Sequence, residues 1–499
     1  MPLLCLALTG RTIAENRAAL ERYRGLADIA ELRADLLNPE EMFHVRDFPA
    51  SAGIPCILTV RRRVDGGGFS DGEGVRLVLI AKALAYARSD RRANFAYVDL
   101  EDDFHVPAVE EACRIFGTRI IRSCHCIDGF PENVGEIWKS VSENPEEIPK
   151  LAVMPRGAGE LAQFFTWAEG LGGGDRVLIG MGDFGVPSRI LAARLGSTIA
   201  YASPLAAGMP VAAPGHLDPR TMLDVFRFRQ IGSDTSVYGL AGGRMVAHSS
   251  SPVLHNGAFG AAGIDSVYLP MPAETIDEFM ACADALHIRG AAVTVPLKED
   301  ILRHLDFRSP EVEDIGACNT IVRRREGGWA GYNTDAQGFE RSLLEFLGRQ
   351  DLHGLRATIV GAGGASKAVA YVLARLGVAG LVLNRTPSHA KEIARRYGFA
   401  WSGCDERAAD LIADHADLIV QASSVGMEGG SQGDPLEWYD FEGREAVCDL
   451  IYRPEQTALL KRAAAAGCRC MNGWSMLRYQ AAAQFAIWTG QKPPELYFK

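Results

Sequence analysis

The stretch RATIVGAGGASKAVAYVLARLG, residues 356–377, places an apolar run, a glycine-rich turn and a helical pattern in direct succession. Gly361 and Gly363 permit a tight turn and let the backbone approach a pyrophosphate, which the amino end of the next helix stabilises. This order is typical of the first βα unit of an open parallel sheet that binds a dinucleotide. The sequence therefore predicts a Rossmann domain, which we place at residues 341–455.

The choice of dinucleotide depends on the end of the next apolar run, which reads Asn384-Arg385-Thr386. An NAD enzyme usually carries Asp or Glu there to bind a ribose hydroxyl, whereas a cation attracts the 2′-phosphate of NADP. A surface arginine in a turn would give the same pattern, so that interpretation stays open. We predict NADP(H) as the cofactor.

Upstream of the cofactor motif, polar residues cluster in short strings. Ser249 and Ser251 precede a helical pattern, Lys298 follows an apolar strand, and Asp335 stands in GYNTDAQGF, residues 331–339. Reduction of a ketone by hydride requires a proton for the oxygen, and a lysine beside an aspartate can deliver it. A solvated surface ion pair is the alternative for any such pair.

Together these strings resemble shikimate dehydrogenase. The strings that carry the resemblance occur in the family's order over about 260 residues: HSSSPVLHN (248–256), VTVPLK (293–298), GACNT (316–320), GYNTD (331–335), GAGGA (361–365), NRT (384–386), QASSVGM (421–427), DLIY (449–452) and MLRYQ (476–480). The resemblance implies a two-domain α/β unit that reduces 3-dehydroshikimate to shikimate, with Lys298 and Asp335 as the catalytic pair.

The same resemblance implies the remaining contacts of this half. The implied substrate-binding residues are Ser249, Ser251, Thr294, Asn319, Tyr452 and Gln480, and the implied cofactor-binding residues are Gly361, Gly363, Gly364, Ala365, Asn384, Arg385, Thr386 and Met427. Two positions depart from the family pattern: Ala292 replaces an asparagine, and His389 replaces a second arginine. A dehydrogenase that also accepts quinate or NAD is therefore an alternative.

The first 228 residues carry a different repeat. Apolar runs at 3–8, 28–35, 55–60, 95–100, 118–123, 150–154, 176–182 and 198–203 recur about every 28 residues, the length of one βα unit. Such runs suit parallel strands that are covered on both faces. Eight units predict a closed (β/α)8 TIM barrel with its active site at the carboxyl ends of the strands, and an open doubly wound sheet is the alternative.

Lysine is scarce, because only nine of the 52 basic residues are lysines. Of the three in the barrel half, Lys82 and Lys139 lie in helical patterns, whereas Lys150 opens a strand. An apolar barrel interior would free the Lys150 amine to form a Schiff base with a ketone. His125, which ends the preceding strand, could then remove the adjacent proton, although a lone histidine is more often structural.

The barrel half resembles type I 3-dehydroquinate dehydratase through ELRAD (31–35), LTVR (58–61), SCH (123–125), IPKLAVMP (148–155) and APG (213–215). The resemblance implies that Lys150 forms an iminium with dehydroquinate and that His125 moves the proton. The implied substrate-binding residues are Glu31, Arg33, Arg61, Asp65, Arg189 and His216. Asp65 replaces the glutamate that supports the histidine, and Ala212 and His216 replace residues that close the pocket, so we expect a raised KM.

The two implied reactions are consecutive, which supports a bifunctional enzyme that converts 3-dehydroquinate to 3-dehydroshikimate and then to shikimate. The alternatives are a broad-specificity quinate/shikimate dehydrogenase, a barrel that only binds or scaffolds, and a class I aldolase barrel. We expect a linker at residues 229–236, a substrate-binding domain at 237–340 and returning helices at 456–499.

The composition of the chain excludes several kinds of binding partner. A net charge of −10 argues against nucleic acid, no stretch predicts a membrane span, and the spacing of the cysteine pairs does not fit a zinc site. We therefore expect a cytoplasmic enzyme of small molecules without a metal.

Overall fold

The structure is a computed structural model that describes residues 1–84 and 90–498. Its contacts divide the chain into two compact units. The first comprises Met1–Tyr238 and Ile264–Ile288, and the second comprises Gly239–Gly263 and the chain from Arg289 onward. The domain boundaries that we drew from the sequence stay predictions.

The described part of residues 1–228 contains eight strands and the helices between them. The bounds are β1 Leu3–Leu8, α1 Ile13–Arg22, β2 Ile29–Arg33, α2 Phe48–Ala52, β3 Cys56–Thr59, α3 Glu73–Leu84, β4 Tyr97–Glu101, α4 Pro107–Phe116, β5 Arg119–Cys126, α5 Val134–Val141, β6 Ile148–Val153, α6 Ala158–Glu169, β7 Val177–Gly180, α7 Gly182–Ile190 and β8 Ile199–Ala202.

These strands form one parallel sheet in the order β7-β6-β5-β4-β3-β2-β1-β8. Strand β1 pairs with both β2 and β8, so the sheet nearly closes on itself. The strands are almost continuously buried, as expected when helices cover the outside and side chains fill the inside. The predicted (β/α)8 barrel is confirmed.

The rest of the chain begins with a mixed α/β segment and continues into a parallel one. The bounds are β9 Ser236–Gly242, α8 Ser251–Ala261, β10 Ser266–Pro272, α9 Ile276–Ala285, β11 Gly290–Val293, β12 Phe307–Arg308, α10 Pro310–Ile315, β13 Thr320–Arg323, β14 Trp329–Tyr332, α11 Thr334–Leu347, β15 Arg356–Val360, α12 Gly364–Arg375, β16 Ala379–Asn384, α13 Pro387–Tyr397, β17 Ala400–Gly403, α14 Ala409–Ala413, β18 Leu418–Gln421, β19 Ala446–Asp449, α15 Ala458–Ala465, β20 Arg469–Met471, α16 Trp474–Thr489 and α17 Glu495–Phe498.

Two sheets organise these elements. The mixed sheet has the order β10-β9-β11-β13-β14-β12, and the second sheet has the order β17-β16-β15-β18-β19-β20. All five ladders of the second sheet are parallel, and β15 lies at its centre, where the strand order reverses. This is the doubly wound arrangement that binds dinucleotides at the switch point, so the predicted Rossmann fold is confirmed.

Residues 264–288 pack with the first unit because α9 lies along α6. Arg194 donates a hydrogen bond to the Leu286 carbonyl oxygen at 2.8 Å, and His287 Nε2 lies 3.1 Å from a carboxylate oxygen of Glu169. Among the described residues, no helix combines the length and the apolar character needed to cross a membrane.

Candidate active sites

The barrel places a buried lysine among polar groups. Lys150 lies on β6, and its Nζ donates a hydrogen bond to Asp99 Oδ2 at 2.7 Å. The same amine lies 3.4 Å from the Tyr201 hydroxyl and 4.5 Å from the centre of that ring. We expected an apolar interior around Lys150, and this expectation was wrong: the amine is paired with a carboxylate.

Asp99 is the centre of a hydrogen-bonded cluster. Its Oδ1 accepts hydrogen bonds from Arg61 and from the Ser123 hydroxyl, both at 2.6 Å, and Arg61 also donates to Glu101 at 2.6 Å. Burial raises the pKa of Asp99, but the charges of Arg61 and Lys150 outweigh burial and hold it well below its usual value. The cluster therefore keeps a carboxylate ionised inside the barrel.

Asp99 and Glu101 were not predicted from the sequence. Both stand in YVDLE, residues 97–101, which forms β4. Two acids at alternate positions of an otherwise apolar strand point to the same face of the sheet. That alternation was the available signal for a charged barrel interior.

His125 is the penultimate residue of β5 and keeps part of its surface exposed, while its Nδ1 is buried with no partner among the described residues. Burial lowers the pKa of His125 well below its usual value, and the charges of Arg61 and Lys150 lower it further. The ring is therefore neutral at pH 7 and able to accept a proton. The carboxylate whose charge acts on His125 is Asp99.

Asp65 is engaged elsewhere. Its carboxylate accepts a hydrogen bond from Arg62 Nε at 2.6 Å in the short turn Arg63–Asp65. We expected Asp65 to support His125, but the structure brings it to Arg62, because a short carboxylate reaches the arginine three residues earlier.

Arg189 on α7 is a buried cation that has no carboxylate partner among the described residues. Its Nη2 donates a long hydrogen bond of 3.3 Å to the Pro214 carbonyl, and its Nε and Nη1 are buried without partners in the part of the chain that the structure describes. Burial lowers the pKa of Arg189 to about 9. Such a guanidinium is suited to a bidentate carboxylate ligand.

The other predicted residues of the barrel pocket are held by neighbours. Arg33 pairs with Asp35 at 2.8 Å and donates to the Ala212 carbonyl at 3.1 Å. Glu31 accepts a hydrogen bond from Thr59 at 2.8 Å. His216 Nδ1 lies 2.7 Å from the Ser203 hydroxyl, and burial, followed by the charge of Arg189, lowers the His216 pKa well below its usual value.

The second unit contains the other predicted catalytic pair. Lys298 Nζ donates to Asp335 Oδ2 at 2.5 Å, and Asn319 Nδ2 donates to Asp335 Oδ1 at 2.8 Å. Lys298 is 9% exposed and Asp335 is 7% exposed, so the pair is not a solvated surface ion pair. Asn333 caps α11 by accepting from the Ala336 amide, and this cap places Asp335 in the first turn of the helix.

Of the predicted substrate contacts, Asn319 and Gln480 lie near this pair, and the others are described by their own neighbours. Gln480 Oε1 is 3.5 Å from both Asn319 Nδ2 and Thr334 Oγ1. Ser249 Oγ and Ser251 Oγ are 3.1 Å apart, at the amino end of α8. Thr294 follows the end of β11, and the Tyr452 ring centre lies 6.2 Å from that of Trp474.

The glycine-rich turn lies directly beside Lys298. A Cβ added at Gly364 would come within 2.9 Å of Lys298 Cδ, whereas a Cβ added at Gly363 would meet no atom within 4 Å. Gly361 has φ +114°, and its Cβ would come within 3.0 Å of the Ser423 amide nitrogen. Protein atoms therefore pack closely against Gly361 and Gly364, whereas the space beside Gly363 is empty. A close contact with a pyrophosphate requires such a space.

The remaining cofactor residues also fit a dinucleotide. Gly363 precedes α12 and supplies no side-chain cap, so the first amides of this helix are available to an anion. Arg385, Thr386 and His389 are exposed after the end of β16, and Met427 is half-buried. No three His, Cys, Asp or Glu side chains group as metal ligands within residues 1–84 and 90–498.

Comparisons with known families match both halves. The profile of Type I 3-dehydroquinase matches residues 4–233. The profiles of the shikimate dehydrogenase substrate binding domain, of shikimate / quinate 5-dehydrogenase and of the shikimate 5′-dehydrogenase C-terminal domain match residues 242–321, 345–426 and 473–498.

Individual proteins give the same pattern. A chloroplastic bifunctional 3-dehydroquinate dehydratase/shikimate dehydrogenase of Arabidopsis thaliana is 28% identical over 494 residues, which is 95% of this chain and 79% of the relative. The shikimate dehydrogenase (NADP(+)) of Moorella thermoacetica is 42% identical over 276 residues, which is 53% of this chain and 92% of the relative.

Among solved structures, the shikimate dehydrogenase of Aquifex aeolicus is 32% identical and covers 54% of this chain and 97% of its own, with a TM-score of 0.49. The dehydroquinate dehydratase and shikimate dehydrogenase of S. pombe is 24% identical and covers 100% of this chain and 97% of its own, with a TM-score of 0.43.

Proposed function

Because this chain belongs to the family of bifunctional 3-dehydroquinate dehydratase/shikimate dehydrogenases, we propose that its barrel dehydrates 3-dehydroquinate and its second half reduces the product, 3-dehydroshikimate, to shikimate. The observation that carries the proposal is the occurrence in one chain of two separate buried lysine–aspartate pairs, Lys150–Asp99 and Lys298–Asp335. The first pair suits covalent chemistry at a ketone, and the second suits proton delivery.

In the barrel, Arg189 is proposed to bind the substrate carboxylate, since its guanidinium is buried and no carboxylate of residues 1–84 and 90–498 pairs with it. Glu31, Arg33 and Arg61 then bind the substrate hydroxyls. The Lys150 ammonium gives one proton to neutral His125, and its amine attacks the C3 ketone. The carbinolamine hydroxyl then leaves as water with the proton that His125 returns, which gives an iminium.

The iminium withdraws electrons from the neighbouring C2–H bond. Neutral His125 takes that proton, the electron pair forms an enamine, and the β-hydroxyl then leaves as water with a proton returned by His125. Hydrolysis of the remaining iminium frees 3-dehydroshikimate and regenerates the amine. The low pKa of His125 suits this role because the base stays neutral below pH 7.

In the second half, bound NADPH would supply a hydride to the C3 carbonyl of 3-dehydroshikimate. Lys298 holds the proton that the carbonyl oxygen needs, and Asp335 holds the ammonium at 2.5 Å. The residues that we propose to orient the substrate are Ser249, Ser251, Thr294, Asn319, Tyr452 and Gln480.

Selectivity for NADP(H) over NAD(H) is the finer part of the proposal. It rests on exposed Arg385 after β16, where a 2′-phosphate would lie in this fold. Arg385→Gln should raise the KM for NADPH several-fold while leaving the KM for NADH nearly unchanged. Equal effects on the KM for NADPH and for NADH would contradict the assignment of Arg385 to the 2′-phosphate. The cytoplasmic location is a separate point and stays a prediction.

The decisive experiment supplies 3-dehydroquinate with NADPH and follows NADPH oxidation. Lys150→Ala should stop the reaction, and added 3-dehydroshikimate should restore it. Lys298→Ala should slow NADPH oxidation with either substrate. The rate of dehydration by this variant, measured by ultraviolet absorbance, should stay normal.

Borohydride reduction in the presence of 3-dehydroquinate tests the covalent step. A mass increase on the peptide that contains Lys150 is expected, and Lys139→Ala, a lysine in α5, serves as the matched control that retains the adduct. An adduct-free Lys150 in a turning-over enzyme would overturn the Schiff-base mechanism, and a barrel without any dehydratase activity would favour the scaffold alternative.

A further inference from the structure

A chain of buried hydrogen bonds leads from helices α8 and α16 to the Asp335 carboxylate. His255 Nε2 lies 3.2 Å from Gln484 Oε1, and Gln484 Nε2 donates to Thr320 Oγ1 at 3.1 Å. Thr320 Oγ1 donates to Asn319 Oδ1 at 2.9 Å, and Asn319 Nδ2 donates to Asp335 Oδ1 at 2.8 Å. All five residues are buried.

The donor and acceptor roles in this chain are fixed by its neighbours. The Thr334 backbone amide donates to Asn319 Oδ1 at 2.7 Å, so Asn319 must turn its NH2 group toward Asp335. Gln484 Nε2 also donates to the Asn319 carbonyl oxygen at 3.4 Å, so Gln484 must turn its oxygen toward His255. Each amide therefore has one orientation that satisfies its partners.

His255 closes the chain at its far end. Burial lowers the pKa of His255 to about 3, so the ring is neutral and carries one N–H. Because Gln484 Oε1 can only accept, that proton is on Nε2. Every donor in the series thus points the same way, toward the Asp335 carboxylate, and aligned hydrogen bonds of this kind polarise one another.

We infer that Gln484 and Thr320 are positioning residues of the dehydrogenase, which fix the Asn319 amide and through it the Asp335 carboxylate that holds Lys298. Gln484 lies one helical turn after Gln480 on α16, so the two amides share a face of the helix. Gln480 approaches the substrate pocket, and Gln484 supports the layer beneath it. This inference rests on the proposed dehydrogenase function.

The test uses isosteric substitutions in the full chain. Thr320→Val removes the hydroxyl, and Gln484→Met removes the amide while keeping the length of the side chain. Each should lower the kcat for reduction of 3-dehydroshikimate by about 10-fold, because a misaligned acid pair transfers a proton less efficiently. The solvent deuterium isotope effect on kcat should increase, because proton delivery becomes more rate-limiting.

Three controls separate positioning from loss of folded protein. Thr320→Ser keeps the hydroxyl and should stay within about two-fold of the parent enzyme, given the size of one retained hydrogen bond. Thr489→Val breaks another side-chain hydrogen bond on α16, to Phe485 at 2.7 Å, and should change neither kcat nor the isotope effect. Dehydratase activity of the same chain reports the amount of enzyme.

The double variant should lose about as much as the stronger single variant, since both act on one chain. A fall in kcat with an unchanged isotope effect, or strictly multiplicative losses, would overturn the inference. If instead the parent enzyme failed to reduce 3-dehydroshikimate with NADPH, the proposed dehydrogenase function itself would fail, so the two failures are distinguishable.

Discussion

The Lys150 amine and the Asp99 carboxylate lie 2.7 Å apart inside the barrel, on strands β6 and β4 with β5 between them. Asp99 also binds Arg61, so one carboxylate is shared by two buried cations. An ammonium held in this way must lose its proton before its nitrogen can attack a carbonyl. The ion pair therefore holds Lys150 in position, and loss of a proton from the Lys150 ammonium is a required first step of the covalent reaction.

Asp99→Asn should destabilise the protein and disable dehydration. Removing one partner from a buried ion pair typically costs about 3–5 kcal/mol, because the cations that remain lose their counter-charge. We expect a lower midpoint in urea unfolding and a fall in dehydratase kcat of at least about 10-fold, since Lys150 loses the group that orients it. Reduction of 3-dehydroshikimate should be unaffected.

The matched control is Asp65→Asn, which removes another carboxylate of the same half. Asp65 pairs with Arg62 at a partly exposed site, where an ion pair contributes at most about 1 kcal/mol. A dehydratase defect in Asp65→Asn larger than that in Asp99→Asn would show that the assignment of the supporting carboxylate is wrong.

The low pKa of His125 predicts an unusual pH profile for dehydration. A catalytic base with an ordinary histidine pKa would lose activity below about pH 6.5. Here burial and the charges of Arg61 and Lys150 keep the ring neutral in more acidic solution. The acid limb of kcat/KM should therefore lie below pH 6.5, and a limb at or above pH 6.5 would refute this assignment.

The same shift has a consequence for folding. The unfolded chain takes up a proton on His125 near pH 6.5, whereas the folded protein does not, so the free energy of unfolding falls as the pH drops below 6.5. One such group contributes a slope of about 1.4 kcal/mol per pH unit. His125→Gln should flatten the pH dependence of urea unfolding between pH 6.5 and 5.5 by roughly that amount.

The parts of the fold that the sequence predicted correctly are those with local signals. Each barrel strand overlaps one of the predominantly apolar runs of the sequence, and the run of residues 3–8 has the same bounds as β1. The hairpin β13–β14 was not predicted, because its strands have four residues each and their turn depends on Gly327 and Gly328, both with positive φ. Strands β17 and β20 are short and lie at sheet edges, where exposed residues interrupt the apolar pattern.

The sites divide in a similar way. Lys150, His125, Lys298 and Asp335 stand in distinctive strings, so residue type and motif order were enough to single them out. Asp99 was missed because its partners lie on other strands, and no local pattern shows which buried acid will meet which cation. Gln484 was missed for the same reason, since its role depends on contacts far away in the sequence.

Arg189→Met should make the protein more stable while it weakens the dehydratase. A buried guanidinium without a carboxylate partner is costly, as the fall of its pKa to about 9 indicates. An unbranched apolar side chain fills the same space without a charge, so the melting temperature should rise. The kcat/KM for 3-dehydroquinate should fall by at least about 100-fold, mainly through KM, because the substrate carboxylate loses its ion pair.

Arg189→Lys is the informative companion, since it keeps the charge and loses the fork of donors. We expect partial activity and no gain in melting temperature. A Met variant that is less stable than the parent would show that Arg189 is paired in the free enzyme and is not reserved for a ligand.

Alanine substitutions at two neighbouring glycines should affect cofactor binding and proton delivery separately. A methyl group at Gly363 has open space around it, so Gly363→Ala should leave the free protein unchanged in thermal unfolding. The same methyl would obstruct the approach of the pyrophosphate, so the KM for NADPH should rise at least about five-fold while kcat at saturation stays near that of the parent.

Gly364→Ala should instead affect kcat more than the KM for NADPH, because its methyl would come within 2.9 Å of Lys298 Cδ and displace the stem of that side chain. A shift of a few tenths of an ångström at Lys298 should lower kcat for reduction by about 10-fold with a smaller change in the KM for NADPH. Initial-rate kinetics with both variants decide the matter, with dehydration by the same chains as the reference for enzyme concentration, and identical effects of the two alanines would rule out the contact between this turn and Lys298 as a determinant of the rate.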